Sequence, residues 1–543
     1  MRNDFRRARH TFSISDLHLT EAEPFNPKKP LWKLFKTRKF FIDSTFKVFL
    51  DHIESLAGAD KNPEENIELI LNGDVFDFDA VMRMPDDPKQ FNLHWLEKLR
   101  GLNAEEAKSR YKMEIILQDH QGWVVALREF LLKGHRVVFI IGNHDIELHW
   151  PGVQKTVLDA LNLPDPFKGH VRFCEWFYIS NGDTLFEHGN QYDSYSLCAN
   201  PVHPLIKKGR RVVVRMPFGD IANKLMLNGM GLMNPHVHSQ FIMSFGQYIR
   251  FFFRYLLRIQ PGIGFTWLWS AVATLFHSLL EGFLPPIKDP LTVERRIAEI
   301  AQKSNASPRT VRALKEIHVH PAHFNPIKMA QELWIDRALL FLLILVGSFQ
   351  LVSIIKLVTD ISIYWVLLPV AATMPFFVFY AQSITSQLGD EFVLAPSRSV
   401  AVSSRLAKVS RVVHGHTHFE THRTVDGVEM LNSGTWSPGF HDIECTKPFG
   451  RMPFVWVRPA REDEARDTKS SRRVAELREW KEPGSELIPR TESPAPAAPD
   501  APDPTHPPPA VAAAAATGAS GQGEGAGTVS QQQIPAESEK NSG

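Results

Sequence analysis

Five short blocks of this chain gather residue types that bind metal ions and move protons: Asp16-Leu17-His18, Gly73-Asp74-Val75-Phe76-Asp77, Gly142-Asn143-His144-Asp145, Glu187-His188-Gly189 and Gly415-His416-Thr417-His418. Each follows a candidate strand. Four apolar, β-branched runs that stop abruptly at polar residues, 11–15, 67–71, 136–141 and 411–413, read as buried strands. In an open α/β sheet, ligands collect beyond the carboxyl ends of the strands, so blocks far apart in sequence can meet in one crevice. The one-residue spacing of Asp16 and His18 lets a carboxylate and an imidazole address one ion, and His416 and His418 repeat that spacing. Oxygen and nitrogen donors without thiolates suit Mn, Fe or Zn better than Ca, and differ from a structural zinc site. Singly the blocks say little, because Gly-Asp pairs are common in turns and a lone His is usually a packing or surface residue. Their joint order at strand ends is what points to a metal centre. His236 and His238, and His318, His320 and His323, have ligand-like spacing but follow no strand, so they are set aside.

The blocks resemble the signature of the calcineurin-like metallophosphoesterases, D-x-H, G-D-x-x-[DE], G-N-H-[DE], an isolated His and G-H-x-H, over about residues 10–195 and 396–440. That resemblance implies an α/β fold, a four-layer α/β/β/α sandwich with mixed sheets. It implies one metal held by Asp16, His18, Asp74 and His418 and a second by Asp74, Asn143, His188 and His416, with Asp74 as the bridge. It places His144 towards the substrate as general acid or charge stabiliser, with Asp145 beside it and Asp77 in support. The expected cofactors are two divalent ions, Mn first, with Fe or Zn fitting the same donors. Two such ions roughly 3.5 to 4 Å apart activate a water for in-line attack on phosphorus and neutralise the phosphoryl oxygens, which is hydrolysis of a phosphate ester or pyrophosphate. Ser15-Asp-Leu-His-Leu19, Glu187-His-Gly-Asn190 and Leu431-Asn-Ser-Gly-Thr-Trp436 carry a looser similarity to UDP-2,3-diacylglucosamine diphosphatases. His144 stands where those enzymes commonly have Arg.

The elements that must position these residues follow from pattern and composition. Helical stretches at 41–56 and 123–132 suit crossovers between parallel strands, and Val425-Asp426-Gly427-Val428 suits a tight hairpin turn, so the sheet is expected to be mixed. At 543 residues the chain has length for roughly two to four domains. Its 61 Lys and Arg against 60 Asp and Glu give no composition-level argument for nucleic acid, and none is expected as a partner. Three scattered cysteines exclude a disulfide framework. Arg2, Arg6, Arg7 and Arg9 are not followed by the apolar stretch of a secretory signal, so the first domain is expected in the cytoplasm.

The resulting division is a first phosphoesterase part at 1–199, an apolar helical, membrane-associated insertion at 200–395, a second part at 396–460 with the Gly-His-Thr-His block, and a disordered Pro/Ala-rich tail at 461–543. Within the insertion, 338–355 and 361–380 are uncharged over about 18 and 20 residues, close to a bilayer's thickness as helices. Their short connection makes a hairpin that returns the chain to its starting side, as a site completed from both flanks requires. Lys328, Arg337, Arg398 and Arg405 favour cytoplasmic ends. Arg250, Arg254 and Arg258 recur on one face of 248–259, an interfacial-helix pattern, and 262–284 suits the headgroup region or a third apolar helix. Lys207, Lys208, Arg210, Arg211 and Arg215 form a cluster for anionic lipid, phosphate or solvent. The expectation is a membrane protein with a cytoplasmic catalytic domain, membrane lipids as partners, and a phosphorylated, lipid-linked substrate. Competing readings are a soluble nucleotide or nucleic-acid phosphodiesterase, which lacks a basic, aromatic-interleaved surface, and a non-catalytic membrane-anchored scaffold, which would not need every ligand position filled.

Overall fold

The computed structural model describes residues 5–490 except 6, 30, 59–65, 232–252, 255–261, 384–398, 441–443, 450, 462–472 and 483. His236, His238, nearly all of the expected interfacial helix and the chain beyond 490 lie outside the described residues. The amino-terminal half supplies β1 (His10–Ile14), β2 (Ile67–Asn72), β3 (Arg136–Ile140), β4 (Val171–Cys174), β5 (Phe177–Ser180), β6 (Thr184–Glu187), β7 (Leu205–Lys208) and β8 (Arg211–Val214). The carboxyl-terminal half supplies β9 (Arg411–His414), β10 (Thr421–Val425), β11 (Val428–Asn432), β12 (Gly439–Phe440), β13 (Pro448–Phe449), β14 (Pro453–Pro459), β15 (Arg473–Lys481) and β16 (Gly484–Leu487).

Two mixed sheets result. The first has seven strands in the order β16-β15-β14-β1-β2-β3-β4, and the second has five in the order β10-β11-β9-β6-β5. β1 to β4 are mutually parallel, as crossover connections demand, whereas β14 to β16 join antiparallel at the β1 edge. The β10–β11 turn has Asp426 and Gly427 both at positive φ, 50° and 80°, the type I′ geometry that matches strand twist.

Side-chain alternation shows how the sheets stack. In β2, Leu69 and Leu71 face one core while Ile70 faces another; β3 divides Val137 and Phe139 from Val138 and Ile140 in the same way. The first core lies under helices such as Asp43–Ala57, whose Phe46, Phe49, Leu50 and Ile53 recur at helical spacing, and Gln121–Leu132. The second core lies between the sheets, where Ile70 and Val138 share a cluster with Tyr178, Phe186, Val413 and Leu431. On its other face the second sheet offers Phe177, Leu185, Val412 and Met430 to the helices Val293–Lys303 and Pro308–Glu316, through Ile300, Val311 and Leu314. Helix, sheet, sheet, helix is the four-layer arrangement expected.

That outer layer corrects the division of the chain. Residues 293–316 were included in the apolar insertion, yet they are amphipathic helices that close the second sheet. The carboxyl-terminal boundary also moves. The tail was placed from 461, but β15 and β16 extend the first sheet, with Ala475 and Leu477 buried on one face and Trp480 on the other. Its charged residues sit between these, so average composition hid a half-buried strand. Two of the five cations in the basic cluster are ion-paired within the protein: Lys208 meets Glu281 at 2.6 Å and Arg211 meets Glu105 at 3.2 Å.

Among the described residues, three helices, Ile263–Phe283, Ile335–Val358 and Ile363–Ala381, are long and apolar enough to cross a membrane. The last two pack side by side: Phe341 and Phe377 lie 5.6 Å apart, and the Tyr380 hydroxyl donates to Asp336 Oδ2 at 3.1 Å. Asp336 begins one helix and Tyr380 lies near the end of the other, so both ends of the hairpin share one side.

Candidate metal centre

The loops leaving β1, β2, β3, β6 and β9 converge. Asp16 N–H donates to the Gly73 carbonyl at 3.1 Å, His18 N–H to the Asp74 carbonyl at 3.0 Å, and Gly415 N–H to the His188 carbonyl at 2.9 Å. The chain turns sharply at each ligand: Asp16, His18, Asp74, His416 and His418 all have positive φ, between 50° and 66°. A left-handed backbone is uncommon outside glycine, though Asp and His tolerate it better than most, and such conformations cluster at functional sites. Crowding is equally tight. A Cβ on Gly142 would lie 2.3 Å from Asp74 Oδ1. Gly142→Ala is therefore expected to displace Asp74 while leaving the cores intact, weakening metal affinity roughly 10- to 100-fold, as losing a ligand's support does. Metal titration beside a circular dichroism spectrum tests this; unchanged affinity would mean Asp74 does not depend on this contact.

Three residue groups bring ligand atoms within 4.8 Å of one another around this point: Asp16, His18 and His418; His18, Asp74 and His144; and Asp74, His188 and His416. His418 Nε2 lies 3.2 Å from Asp16 Oδ1, and His188 Nε2 lies 3.0 Å from Asp74 Oδ2. His188 Nδ1 faces the Asn72 carbonyl at 2.8 Å, which fixes its tautomer and leaves Nε2 turned inward. Asp193 Oδ2 holds His416 Nε2 at 3.2 Å. Asp16 Oδ1 and His188 Nε2 are buried with only other candidate ligand groups beside them, and Asn143 Oδ1 has no hydrogen-bond partner among the described residues. Buried polar atoms are rarely left so. Carboxylate, amide and imidazole donors turned toward one spot in this way fit divalent cations.

Electrostatics agree. Burial opposes charge on Asp74, yet the His188, His144 and His18 imidazoles hold its carboxyl well below its usual range. Burial likewise opposes protonation of His188, but Asp74 and Asp16 push it up to about 9. Carboxylates draw positive charge to this point, whether it is carried by protons or by metal ions.

Around His144 the structure places Asp77, as expected, together with Asp79, Asp220 and Asn223, which the sequence analysis does not single out. Asp77 Oδ1 lies 3.5 Å from its Nδ1 and Asp79 Oδ2 lies 3.9 Å away. On the other side, the Phe218–Leu225 helix brings Asp220 Oδ1 to 4.0 Å of Nε2 and Asn223 Nδ2 to 3.4 Å. Asp220 also accepts a hydrogen bond from Asn143 Nδ2 at 3.1 Å, turning the Asn143 carbonyl inward. Burial disfavours a charged His144, but Asp77, Asp74 and Asp220 raise it well above the ordinary imidazole value. Asp145 has a different place from the one expected. Its carboxyl oxygens accept from Val75 N at 2.9 Å and Gly142 N at 2.6 Å, and burial together with Asp74 raises its pKa to about 7. It clamps the two ligand loops together and does not face the open side. Asp79 and Asp193 lie just past recognised blocks, so their proximity was a usable signal. Asp220 and Asn223 had none, being single polar residues in an apolar context.

Residues 11–212 match the family model of the calcineurin-like phosphoesterases. The chain carries a calcineurin-like phosphoesterase domain. It is thus a metal-dependent phosphoesterase, a hydrolase with a divalent-metal site. The matched span ends before β9, yet β9 inserts between β6 and β11 of the second sheet and delivers His416 and His418 to the centre. The phosphoesterase site is therefore completed by sequence some 200 residues beyond the match. No curated protein matches the chain.

Proposed function

We propose that this chain is a membrane-associated, binuclear phosphoesterase that hydrolyses a phosphate ester or pyrophosphate bond of a lipid-linked substrate, its catalytic domain on the cytoplasmic side. Asp16, His18, Asp74 and His418 would hold one ion and Asp74, Asn143, His188 and His416 the other, with Mn preferred. Bound there, the ions supply Lewis acidity towards the phosphoryl oxygens and activate a water. The chain's own part is to fix the donors, to exclude bulk water from the Asp16 and His188 side, and to hold a proton on His144. His144 and His418, with side chains 12 % and 20 % exposed, form the open side where substrate enters. A protonated His144 there can give its proton to the leaving oxygen.

One observation supports the membrane part above the others. The Ile263–Phe283 helix buries Ser270, Ala271, Thr274 and Ser278 and packs on the Phe218–Leu225 helix that carries Asp220 and Asn223. Its opposite face leaves Phe265, Trp269, Val272, Phe276 and Phe283 exposed at helical spacing. An apolar stripe therefore runs one helix away from the metal centre, where it can meet the acyl part of a substrate. Lys328, Arg337, Arg398 and Arg405 support cytoplasmic ends for the hairpin.

The test is a triple variant, Phe265→Ser, Phe276→Ser and Phe283→Ser, assayed with lipid pyrophosphate in vesicles and with bis-p-nitrophenyl phosphate in solution. Each apolar side chain withdrawn from lipid is worth roughly 1.5 to 3 kcal/mol. Vesicle binding and lipid turnover should fall at least about tenfold, with the soluble assay unchanged. Wild-type enzyme that cleaves soluble nucleotides as well as any lipid, with no effect of the triple variant, would sink the lipid-linked substrate.

A further inference from the structure

A cavity of about 60 Å³ opens beside the metal centre. His18, Asp77, Asp79 and Asn223 form its catalytic end, and Lys33, Phe35, Phe40 and Phe41 line it further out. At roughly 10 to 15 Å³ per water it holds four to six waters, the size of one phosphate group and not of an acyl chain.

Two lysines face this cavity, and only one is neutralised by the protein. Lys36 Nζ donates to Glu21 Oε1 at 3.1 Å and to the Ala80 carbonyl at 2.6 Å. Lys33 is only 6 % exposed, yet its ammonium has no hydrogen bond or ion pair among the described residues. Its backbone is held at φ 47°, with its N–H on the Gly231 carbonyl at 2.6 Å, so the fold places this side chain against local preference. Glu21 and Glu23 act on it only from beyond ion-pair distance, and a largely buried cation with no direct partner is costly, a cost proteins bear where a ligand brings the anion.

We propose that Lys33 binds a second anionic group of the substrate, a compact phosphate adjoining the one that is hydrolysed, so that the enzyme prefers diphosphates to phosphoesters of uncharged alcohols. This rests on the phosphoesterase reading of the metal centre. In the hydrolysis, water oxygen bonds to the attacked phosphorus and the P–O–P bond breaks. The departing phosphate keeps the electron pair and stays beside Lys33 until release. Burial, with Lys36 and Arg100 nearby and Glu23 and Glu21 opposing, pulls the Lys33 pKa down to about 8. The ammonium is thus charged at neutral pH and loses its proton at mildly alkaline pH.

The matched substrates are bis(p-nitrophenyl) diphosphate and bis-p-nitrophenyl phosphate, which differ by one phosphate. Lys33→Gln should lower kcat/KM for the diphosphate roughly 10- to 100-fold, mainly through KM, and leave the monophosphate diester unchanged. Lys33→Arg should restore much of the loss. The wild-type KM for the diphosphate should climb above about pH 8, and that climb should vanish in Lys33→Gln. The melting temperature of Lys33→Gln should not fall, because an unpaired buried charge is removed. Equal losses on both substrates, or none on either, overturn the proposal. If wild type cleaves neither compound, the phosphoesterase reading has failed. Lys33 is then judged by calorimetric binding of the methylene-bridged diphosphate analogue, which must weaken at least about fivefold in Lys33→Gln for the proposal to stand.

Discussion

Asp74→Ala is expected to abolish metal-dependent turnover, lowering kcat/KM by about 10³- to 10⁴-fold with the fold retained. Asp74 belongs to two of the ligand groups, those of His18 with His144 and of His188 with His416. Its Oδ1 also accepts the His144 backbone N–H at 2.9 Å, so one carboxylate ties both halves of the centre to the loop that carries His144. Lewis-acid stabilisation of a phosphoryl transition state is worth several kcal/mol, roughly 4 to 6, which converts to the stated range. Truncation also takes from His188 Nε2 the carboxylate that lies 3.0 Å from it. Asp74→Asn separates charge from shape: it keeps one oxygen ligand but removes the bridge, so bound Mn should drop from two ions to one or none. Retention of both ions, or a loss under tenfold at saturating Mn, would rule Asp74 out as the bridge.

How much of this site could be read in the sequence depended on whether a residue's partners lie along its own strand. The ligand blocks are visible because parallel strands must end in loops on one side, and β1, β2, β3 and β9 are marked by apolar runs that stop at polar residues, whereas β6 carries no such run. The outer helices over the first sheet were visible for the same local reason, through the spacing of Phe46, Phe49 and Ile53. Tertiary choices left no such mark. Nothing in Phe218–Leu225 says that Asp220 reaches Asn143 and His144, since that depends on how the helix docks. Asp145 was misjudged because adjacency to His144 in sequence says nothing about direction: the turn aims its carboxyl back at the amides of Gly142 and Val75. Averaging over composition failed where burial is one-sided. Trp480 and Leu477 anchor opposite faces of β15 while Arg473, Glu476, Arg478 and Lys481 dominate its count. The apolar stretches at 338–355 and 361–380 stood out since helices apolar all round need no partner pattern to be recognised. The amphipathic helices between residues 293 and 316, with their apolar residues on one face only, were absorbed into the same block.

His144→Gln should reduce kcat roughly 10²- to 10⁴-fold on substrates with a poor leaving group, and far less on bis-p-nitrophenyl phosphate, whose leaving phenolate needs little protonation. Metal content should not change. The pH profile gives the sign. Besides Asp74, Asp77 and Asp220 are the main carboxylates that raise His144, so the alkaline limb of kcat should lie above the ordinary imidazole value of about 6.5. Asp220→Asn removes one of them and should move that limb to lower pH, while Asn143 keeps an acceptor at the same position. In metal-free protein the same raised pKa means that His144 contributes stability fully present below about pH 6.5 and lost as the pH rises through its folded value. Asp220→Asn should therefore flatten the fall in melting temperature on the alkaline side. A purely structural role for Asp220 would lower activity and stability at every pH without moving either limb. That outcome would remove Asp220 from the proton-transfer argument and leave His144 to the carboxylates on its other side, Asp77 first among them.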